Sequence, residues 1–326
     1  MKIIVDNHIP YLQSPLSTIA EVVALPAAQI DAAAVHDADA LIVRTRTHCG
    51  ASLLKGSSVR FIATATIGYD HIDTSWCEAN GIRWTNAPGC NASSVCQYVE
   101  CALQVMEKAG FIQLKGSTLG VVGLGHVGSR VKTMAESHGM KTLCCDPPLA
   151  NKDSILTKTH FVSLSQIASE ADIITFHVPL TYDGSYPTHH LADEAFFTSL
   201  KRKPLFINTS RGSVTDTAGL KRALRTGQIR QAVIDVWENE PSIDLDLLAL
   251  AHITTPHIAG YSADGKARAS QMSLDALCQF FHLPTVKAET PPVATAPYDI
   301  LADSKRLKAS PETFELQRSN YPIRRE

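Results

Sequence analysis

Three motifs in the second half of the chain carry an arginine, a glutamate and a histidine: NTSRG (208–212), DVWENEP (235–241) and TPHIAGY (255–261). The guanidinium of Arg211 could hold a carboxylate through two parallel hydrogen bonds, and the imidazole of His257 could exchange a proton near neutral pH. A carboxylate such as Glu240 beside the far ring nitrogen would orient the imidazole and stabilise its protonated form. These residue types suit the oxidation of a 2-hydroxy acid, in which a base removes the hydroxyl proton as hydride leaves the same carbon.

Each of these residues alone also fits a structural role, because single arginines after strands are usually surface charges and single histidines are usually structural. A glycine-rich segment upstream favours the chemical interpretation. It follows a predicted strand and precedes a predicted helix, as dinucleotide-binding turns do. The glycines would permit a tight turn, close approach of a pyrophosphate and close helix–sheet packing, and the helix amino terminus would attract phosphate. We therefore expect a cofactor site at Gly123, Gly125, His126, Val127 and Gly128.

Asp146 is expected to select the cofactor. It ends the next predicted strand, 18 residues after Gly128. Its carboxylate can accept hydrogen bonds from both hydroxyls of the adenosine ribose and would repel the additional phosphate of NADP. Pro147 and Pro148 follow it, and no arginine comes next to bind such a phosphate. The pattern predicts NAD, and the alternative is a structural glycine turn in another α/β fold.

Two arginines in VRTRT (43–47) indicate a binding site for a phosphorylated substrate. Arg44 and Arg46 are two residues apart at the end of a predicted strand, and side chains at that spacing share a face. Two guanidinium groups on one face suit a phosphate. The alternative is a solvated pair of charges.

The elements that must position these residues alternate between strands and helices, which predicts α/β domains with parallel sheets. The first strands are predicted at 3–5, 40–44 and 61–65, and the second series at 118–123, 141–146, 172–178, 204–210 and 231–237. A helix at 93–110 would link the two series, and ITTPHIAG (253–260) would lead back into the first domain. We expect a substrate domain at 1–93, an NAD domain at 94–257, a return helix within 258–283, and a linker with a short carboxy-terminal segment at 284–326.

Composition excludes several other classes of protein. The 326 residues carry a net charge of −2, so there is no electrostatic reason to expect nucleic acid or an anionic membrane as a partner. No apolar run approaches the length of a membrane span, and the first residues do not resemble a signal peptide. The eight cysteines include no Cys-x-x-Cys pair, so we expect reduced thiols, no metal and a cytosolic protein.

The series GLGHVG, Asp146, HVPLT, NTSRG, DVWENEP and PHIAG resembles the D-isomer-specific 2-hydroxyacid dehydrogenase family over about residues 1–282. The resemblance implies a Rossmann-type NAD domain inserted into a flavodoxin-like substrate domain. It also implies that Arg211, Glu240 and His257 are catalytic, with His257 as acid/base. Asp235 would lie near the nicotinamide carboxamide. The other residues that it places at the cofactor are Thr175, Thr209, Ser210 and Gly260.

Four further segments resemble one branch of that family: 64–73, 86–95, 176–194 and 256–268. The insertion DGSYPTHHLADE after PLT is the most specific of these features. The branch implies 4-phospho-D-erythronate as substrate, a 2-oxo product, a place in pyridoxal phosphate biosynthesis and a homodimer. Thr45, Thr66 and Tyr261 match its substrate contacts. The branch has a longer carboxy-terminal dimerisation domain, of which residues 284–326 would be a short remnant.

Two other functions stay open at this point. One is a dehydrogenase for 3-phosphoglycerate or another D-2-hydroxy acid, which would share the Arg-x-Arg pattern and the catalytic set. The other is an NAD-sensing binding protein on the same fold, because a fold does not fix a function. Such a binding protein would not need the paired arginines.

Overall fold

A computed structural model describes residues 1–152, 160–294 and 297–326, in which the chain forms two compact units. Unit 1 comprises Met1–Asn91, Tyr261–Ala296 and Ile323–Glu326, and unit 2 comprises Ala92–Gly260 and Pro297–Pro322. In chain order, the larger part of unit 2 is inserted into unit 1. Residues 295 and 296 of the predicted linker lie outside the described part of the chain.

Unit 1 contains a sheet of five parallel strands in the order β2-β1-β3-β4-β5. This is the order of flavodoxin-like folds. The strands are β1 (Lys2–Asp6), β2 (Glu21–Leu25), β3 (Ala40–Val43), β4 (Phe61–Thr64) and β5 (Arg83–Thr85). The helices are Gln13–Leu16, Ala32–Val35, Ala51–Leu54, Thr74–Ala79 and Ala263–Phe281, with a 3-10 turn at Ala27–Gln29.

The central strands β1, β3 and β4 are apolar runs with both faces covered, which is why the sequence pattern finds them. The edge strands β2 and β5 are partly exposed, and the pattern did not predict them. Helix Ala263–Phe281 begins at Ser262, whose hydroxyl accepts a hydrogen bond from the Gly265 N–H. This helix lies within residues 258–283, the range predicted for the return helix.

Unit 2 contains a sheet of six parallel strands in the order β11-β10-β9-β8-β6-β7. An isolated parallel bridge between Cys144 and Phe161 adds a further position beside β7. With that position counted, the order is that of the dinucleotide-binding fold, whose ligand crevice lies where the strand order reverses, between β6 and β8. The strands are β6 (Thr118–Val122), β7 (Lys141–Cys145), β8 (Ile173–Phe176), β9 (Leu205–Asn208), β10 (Gln231–Ile234) and β11 (Ile253–Thr254).

The helices of unit 2 surround this sheet. They are Ala92–Lys108, His126–Ser137, Pro147–Lys152, Leu164–Glu170, Glu194–Ser199, Thr217–Thr226, Leu245–Leu250, Ile300–Ala309 and Phe314–Ser319, with 3-10 turns at Gly212–Val214 and Pro311–Thr313. Within the described residues, no helix is long and apolar enough to cross a membrane.

The carboxy-terminal helix Ile300–Ala309 packs against the edge strand β11. The Thr254 N–H donates to the Ser304 hydroxyl over 3.1 Å, and Leu307 and Phe314 are buried in the apolar core of unit 2. The segment that was expected to lead back into the first domain therefore begins as the last strand of unit 2. Unit 1 resumes at Tyr261.

Candidate active site

The glycine-rich turn after β6 has the geometry that a pyrophosphate needs. Gly123 has a φ of +90°, and a Cβ there would lie 2.6 Å from the His177 carbonyl oxygen. A Cβ at Gly128 would lie 2.0 Å from the Gly123 carbonyl oxygen, so this position accepts only glycine. A Cβ at Gly125 would meet nothing within 4 Å, and Gly125 caps helix His126–Ser137. The turn and the helix amino terminus thus fit a dinucleotide phosphate. The open space lies at Gly125, the glycine whose backbone a pyrophosphate should approach.

Asp146 supports the glycine turn directly. One carboxylate oxygen accepts the Leu124 N–H over 2.8 Å, and the other accepts the Leu149 N–H over 3.0 Å. These bonds tie the end of β7 to the turn after β6. The side chain is only partly buried, so its remaining lone pairs are available for a ribose.

A histidine that was assigned no role connects two of the predicted cofactor residues. His177, at the carboxyl end of β8, has Nε2 3.0 Å from the Thr175 hydroxyl and Nδ1 3.5 Å from the Thr209 hydroxyl. Burial lowers the pKa of His177 to about 3, so the ring is neutral and one nitrogen donates while the other accepts. The signal for it was the HVPLT motif, which places a polar side chain directly after a buried strand.

The loop after β9 holds Arg211 through the side chain of Asn208. The side-chain oxygen Oδ1 of Asn208 accepts the backbone N–H of Ser210 over 3.0 Å and the Ser210 hydroxyl over 2.9 Å, and Asn208 Nδ2 donates to the Arg211 carbonyl over 3.0 Å. Arg211 donates from Nη1 to the Ser210 carbonyl over 2.8 Å. Its guanidinium has five N–H groups, so donors remain for a substrate carboxylate.

Gly212 brings the NTSRG loop against the DVWENEP loop. A Cβ at Gly212 would lie 1.9 Å from the Trp237 carbonyl carbon and 2.4 Å from the Glu238 nitrogen. Any larger residue would have to displace backbone on one of the two loops. The loops that carry Arg211 and Glu240 are therefore in direct contact.

Glu240 and His257 form the pair that the sequence predicts. His257 Nδ1 lies 2.8 Å from Glu240 Oε2, and Glu240 Oε1 accepts the Trp237 N–H over 2.9 Å. Burial raises the pKa of Glu240, but the bond to His257, its charge and the Trp237 N–H outweigh that effect and leave the pKa below its ordinary value. An ionised Glu240 can only accept a hydrogen bond, so the Nδ1 of His257 must carry the proton. Nε2 of the neutral ring then carries the lone pair that a base requires.

Asp235 organises the segment that presents His257. The Asp235 carbonyl accepts the His257 N–H over 2.8 Å, and its carboxylate accepts the Thr255 hydroxyl over 2.6 Å and the N–H groups of Ile258 and Ala259 over 2.8 and 2.9 Å. Burial raises the pKa of Asp235. His257 has a φ of +56°, a conformation that a residue with a side chain holds only where its surroundings fix it.

In unit 1, Arg44 is already paired with a buried carboxylate. Its Nε and Nη2 donate to the two Asp6 carboxylate oxygens over 3.0 and 3.2 Å, and Asp6 is 0% exposed. The expectation that Arg44 and Arg46 share a strand face is wrong, because β3 ends at Val43 and both arginines lie in the turn that follows. Their positions are set by that turn and by Asp6.

The other predicted substrate residues of unit 1 lie on separate segments. Thr45 is exposed in the turn after β3. The Thr66 hydroxyl donates to the Gly68 carbonyl over 2.8 Å and lies 2.7 Å from the Thr64 hydroxyl, so it can offer a lone pair to a ligand. The Tyr261 ring has the Lys266 ammonium 5.1 Å from its centroid. Gly260 is the last residue before unit 1 resumes.

Known proteins resemble this chain in sequence and in fold. Residues 98–259 match the family described as D-isomer specific 2-hydroxyacid dehydrogenase, NAD binding domain. The whole chain is 50% identical to the erythronate-4-phosphate dehydrogenase of Bacteroides thetaiotaomicron and 51% identical to that of Bacteroides fragilis, and covers 97% of each. The D-lactate dehydrogenase of Aquifex aeolicus, complexed with NAD and lactic acid, has a TM-score of 0.67 at 27% identity, over 86% of this chain and 96% of that chain.

Proposed function

The chain belongs to the erythronate-4-phosphate dehydrogenase family, and we propose on that premise that it oxidises 4-phospho-D-erythronate to (R)-3-hydroxy-2-oxo-4-phosphooxybutanoate. It is an NAD-dependent dehydrogenase that acts on a CH–OH group. The observation that carries the reaction type is the 2.8 Å contact between His257 Nδ1 and Glu240 Oε2, which leaves Nε2 as a base. Full-length identity to relatives of that name supports the choice of substrate.

The chemistry needs three groups of unit 2. Arg211 holds the substrate carboxylate and so places the C2 hydroxyl. His257 Nε2 removes the hydroxyl proton, the electron pair of the broken O–H bond forms the second bond of the carbonyl, and the C2 hydrogen departs with both electrons of its C–H bond. Bound NAD supplies the acceptor for that hydride. Glu240 stabilises the imidazolium until its proton passes to solvent, and in the reverse direction His257 acts as the acid.

The cofactor is assigned to the carboxyl ends of the strands of unit 2. The glycine turn, with His126 and Val127 at the helix amino terminus, would hold the pyrophosphate, and Asp146 would hold the adenosine ribose. The remaining residues proposed to contact the cofactor are Thr175, Thr209, Ser210, Asp235 and Gly260. The hydrogen bonds of Thr175 and Thr209 to His177 support this set, because they hold polar groups at the ends of two neighbouring strands.

The phosphate of the substrate is assigned to unit 1. Arg46 is proposed to contact it directly, and Arg44 donates hydrogen bonds to both oxygens of Asp6 beside it. Arg44 would then position the turn. Thr45, Thr66 and Tyr261 are assigned to the rest of the substrate.

One assay separates this function from its alternatives. We would measure kcat/KM with NAD for 4-phospho-D-erythronate, 3-phospho-D-glycerate and unphosphorylated D-erythronate. We expect the first to be preferred by a wide margin. Preference for 3-phospho-D-glycerate would make the chain a phosphoglycerate dehydrogenase. Tight NADH binding without turnover of any of the three acids would indicate an NAD-sensing protein.

We also propose that the protein is a cytosolic homodimer and serves pyridoxal phosphate biosynthesis, as the sequence resemblance implies. Sedimentation equilibrium should give a mass near twice the 35.3 kDa of the chain. Expression of the chain should restore growth without pyridoxine in a bacterial strain that lacks this dehydrogenase activity. A monomeric mass or continued pyridoxine dependence would contradict the respective proposal.

A further inference from the structure

Lys266 has no part in the function derived so far. It lies near the start of helix Ala263–Phe281, in the YSADGKAR segment, and its ammonium sits 5.1 Å from the centroid of the Tyr261 ring. Tyr261 is itself a predicted substrate contact. An ammonium over an aromatic face is attracted by the negative face of the ring, which holds the charge in a defined place.

The other charges on this helix turn are paired, and Lys266 differs from them. The Asp264 carboxylate accepts hydrogen bonds from Arg325 Nε over 3.0 and 2.9 Å, and Arg268 is paired with Glu326. Within the ranges that the structure describes, no hydrogen bond or ion pair joins Lys266 to a carboxylate. Lys266 is therefore a cation of unit 1 whose charge the described residues leave uncompensated.

A second cation lies within electrostatic range of Lys266. Burial lowers the pKa of Lys266, and the positive charge of Arg44 lowers it further. The side chain is nevertheless open to solvent. An anion that reaches this exposed ammonium would be attracted by its positive charge.

We propose that Lys266 binds the terminal phosphate of the substrate, together with Arg46 and beside Arg44. This rests on the proposed function, because it presumes a phosphorylated acid. A phosphate monoester carries close to two negative charges at neutral pH, and the Arg44 charge is largely balanced by Asp6. The substrate carboxylate is already assigned to Arg211 in unit 2. Lysine suits the remaining task, since its ammonium acts as a compact point charge for phosphate oxygens.

The test compares Lys266→Met with Lys266→Arg and with Lys55→Met, a change at an exposed lysine of the same unit. Lys266→Met should raise KM for 4-phospho-D-erythronate by about 10–100-fold, as expected for loss of a charge-assisted hydrogen bond. It should leave kcat at saturation and KM for NAD close to wild type. Lys266→Arg should retain most of the affinity, and Lys55→Met should match wild type.

Two controls separate a phosphate contact from a structural effect. Unphosphorylated D-erythronate should be used equally well by wild type and Lys266→Met, so the preference for the phosphorylated acid collapses in the variant. Inorganic phosphate should inhibit the wild type competitively and the variant much less. An unchanged KM for the phosphorylated acid, or an equal loss with both acids, would overturn the proposal.

A failure of the proposed function is distinguishable from a failure of this site. If the wild type does not oxidise 4-phospho-D-erythronate, the proposed function falls. Protection of the wild type against thermal unfolding by inorganic phosphate, with loss of that protection in Lys266→Met, would then still establish the anion site. Equal protection of both proteins would overturn it.

Discussion

The loops of unit 2 and the turn of unit 1 hold their functional side chains in different ways. In unit 2, buried polar side chains fix the backbone: Asn208 bonds the loop of Arg211, and Asp235 bonds the segment of His257 through four contacts. In unit 1, the arginines lie in a turn and Arg44 is held by a single buried carboxylate, Asp6. The backbone around the functional side chains is therefore fixed by more hydrogen bonds in unit 2 than in the turn of unit 1.

This difference matches the two tasks. Proton and hydride transfer require atoms placed within a few tenths of an ångström, and misplacement costs rate steeply. Phosphate recognition transfers no atom, so it contributes mainly to how tightly the substrate binds. Substitutions in unit 2 should therefore act mainly on kcat, and substitutions in the turn of unit 1 mainly on KM for the substrate.

The largest effect is expected at His257. His257→Ala should lower kcat by about 10²–10⁴, the usual contribution of a general base, and should still bind NADH. Steady-state kinetics and NADH fluorescence titration check the two parts. His36→Ala, at an exposed histidine of unit 1, is the control and should behave as wild type. A kcat for His257→Ala within a factor of three of wild type would remove His257 from the chemistry.

The next effect is expected at Arg46 and should appear in KM. Arg46→Ala should weaken binding of the phosphorylated acid by about 2–4 kcal/mol, as for loss of a charged contact. NADH affinity should barely change, because the cofactor is assigned to unit 2. If NADH binding falls as much as substrate binding, the phosphate assignment is wrong. The assignment of the cofactor to unit 2 and of the substrate phosphate to unit 1 would then fail as well.

A smaller effect, on cofactor choice, is expected at Asp146. Asp146→Asn removes the negative charge but keeps an acceptor for the Leu124 or Leu149 N–H. The ratio of kcat/KM for NAD over NADP should fall by about 10–100-fold, the worth of a charged hydrogen bond. Asp146→Ala should in addition lower kcat/KM with NAD, since it leaves both N–H groups without their acceptor. An unchanged ratio in Asp146→Asn would show that another residue selects the cofactor.

The central strands and the Glu240–His257 pair could be predicted from sequence. The strands are mostly apolar, and the pair follows two of them at the edge where parallel strands end. The edge strands β2 and β5 could not, because partial exposure weakens the apolar pattern. Strand ends were also predicted too long: β10 stops at Ile234, and the carboxylate of the next residue, Asp235, bonds the segment that presents His257.

Partners distant in sequence set the remaining features of the site. Asp6 lies 38 residues before Arg44, and Thr209 lies 32 residues after His177. No local sequence pattern indicates such pairs. Neither the ion pair of Arg44 with Asp6 nor the contact of His177 with Thr209 could therefore be predicted from the sequence. The steric role of Gly212 likewise depends on backbone 25 residues further along the chain.

The most direct test of the account is kcat/KM against pH for wild type and Glu240→Gln. The variant should lose less rate than His257→Ala, because the imidazole remains. The Glu240 carboxylate stabilises the imidazolium that forms when His257 takes the proton, and a glutamine there would stabilise it less. The acidic limb of the oxidation profile should therefore move to lower pH in the variant while the maximum falls. A limb that stays in place or moves to higher pH would show that Glu240 does not act on the base.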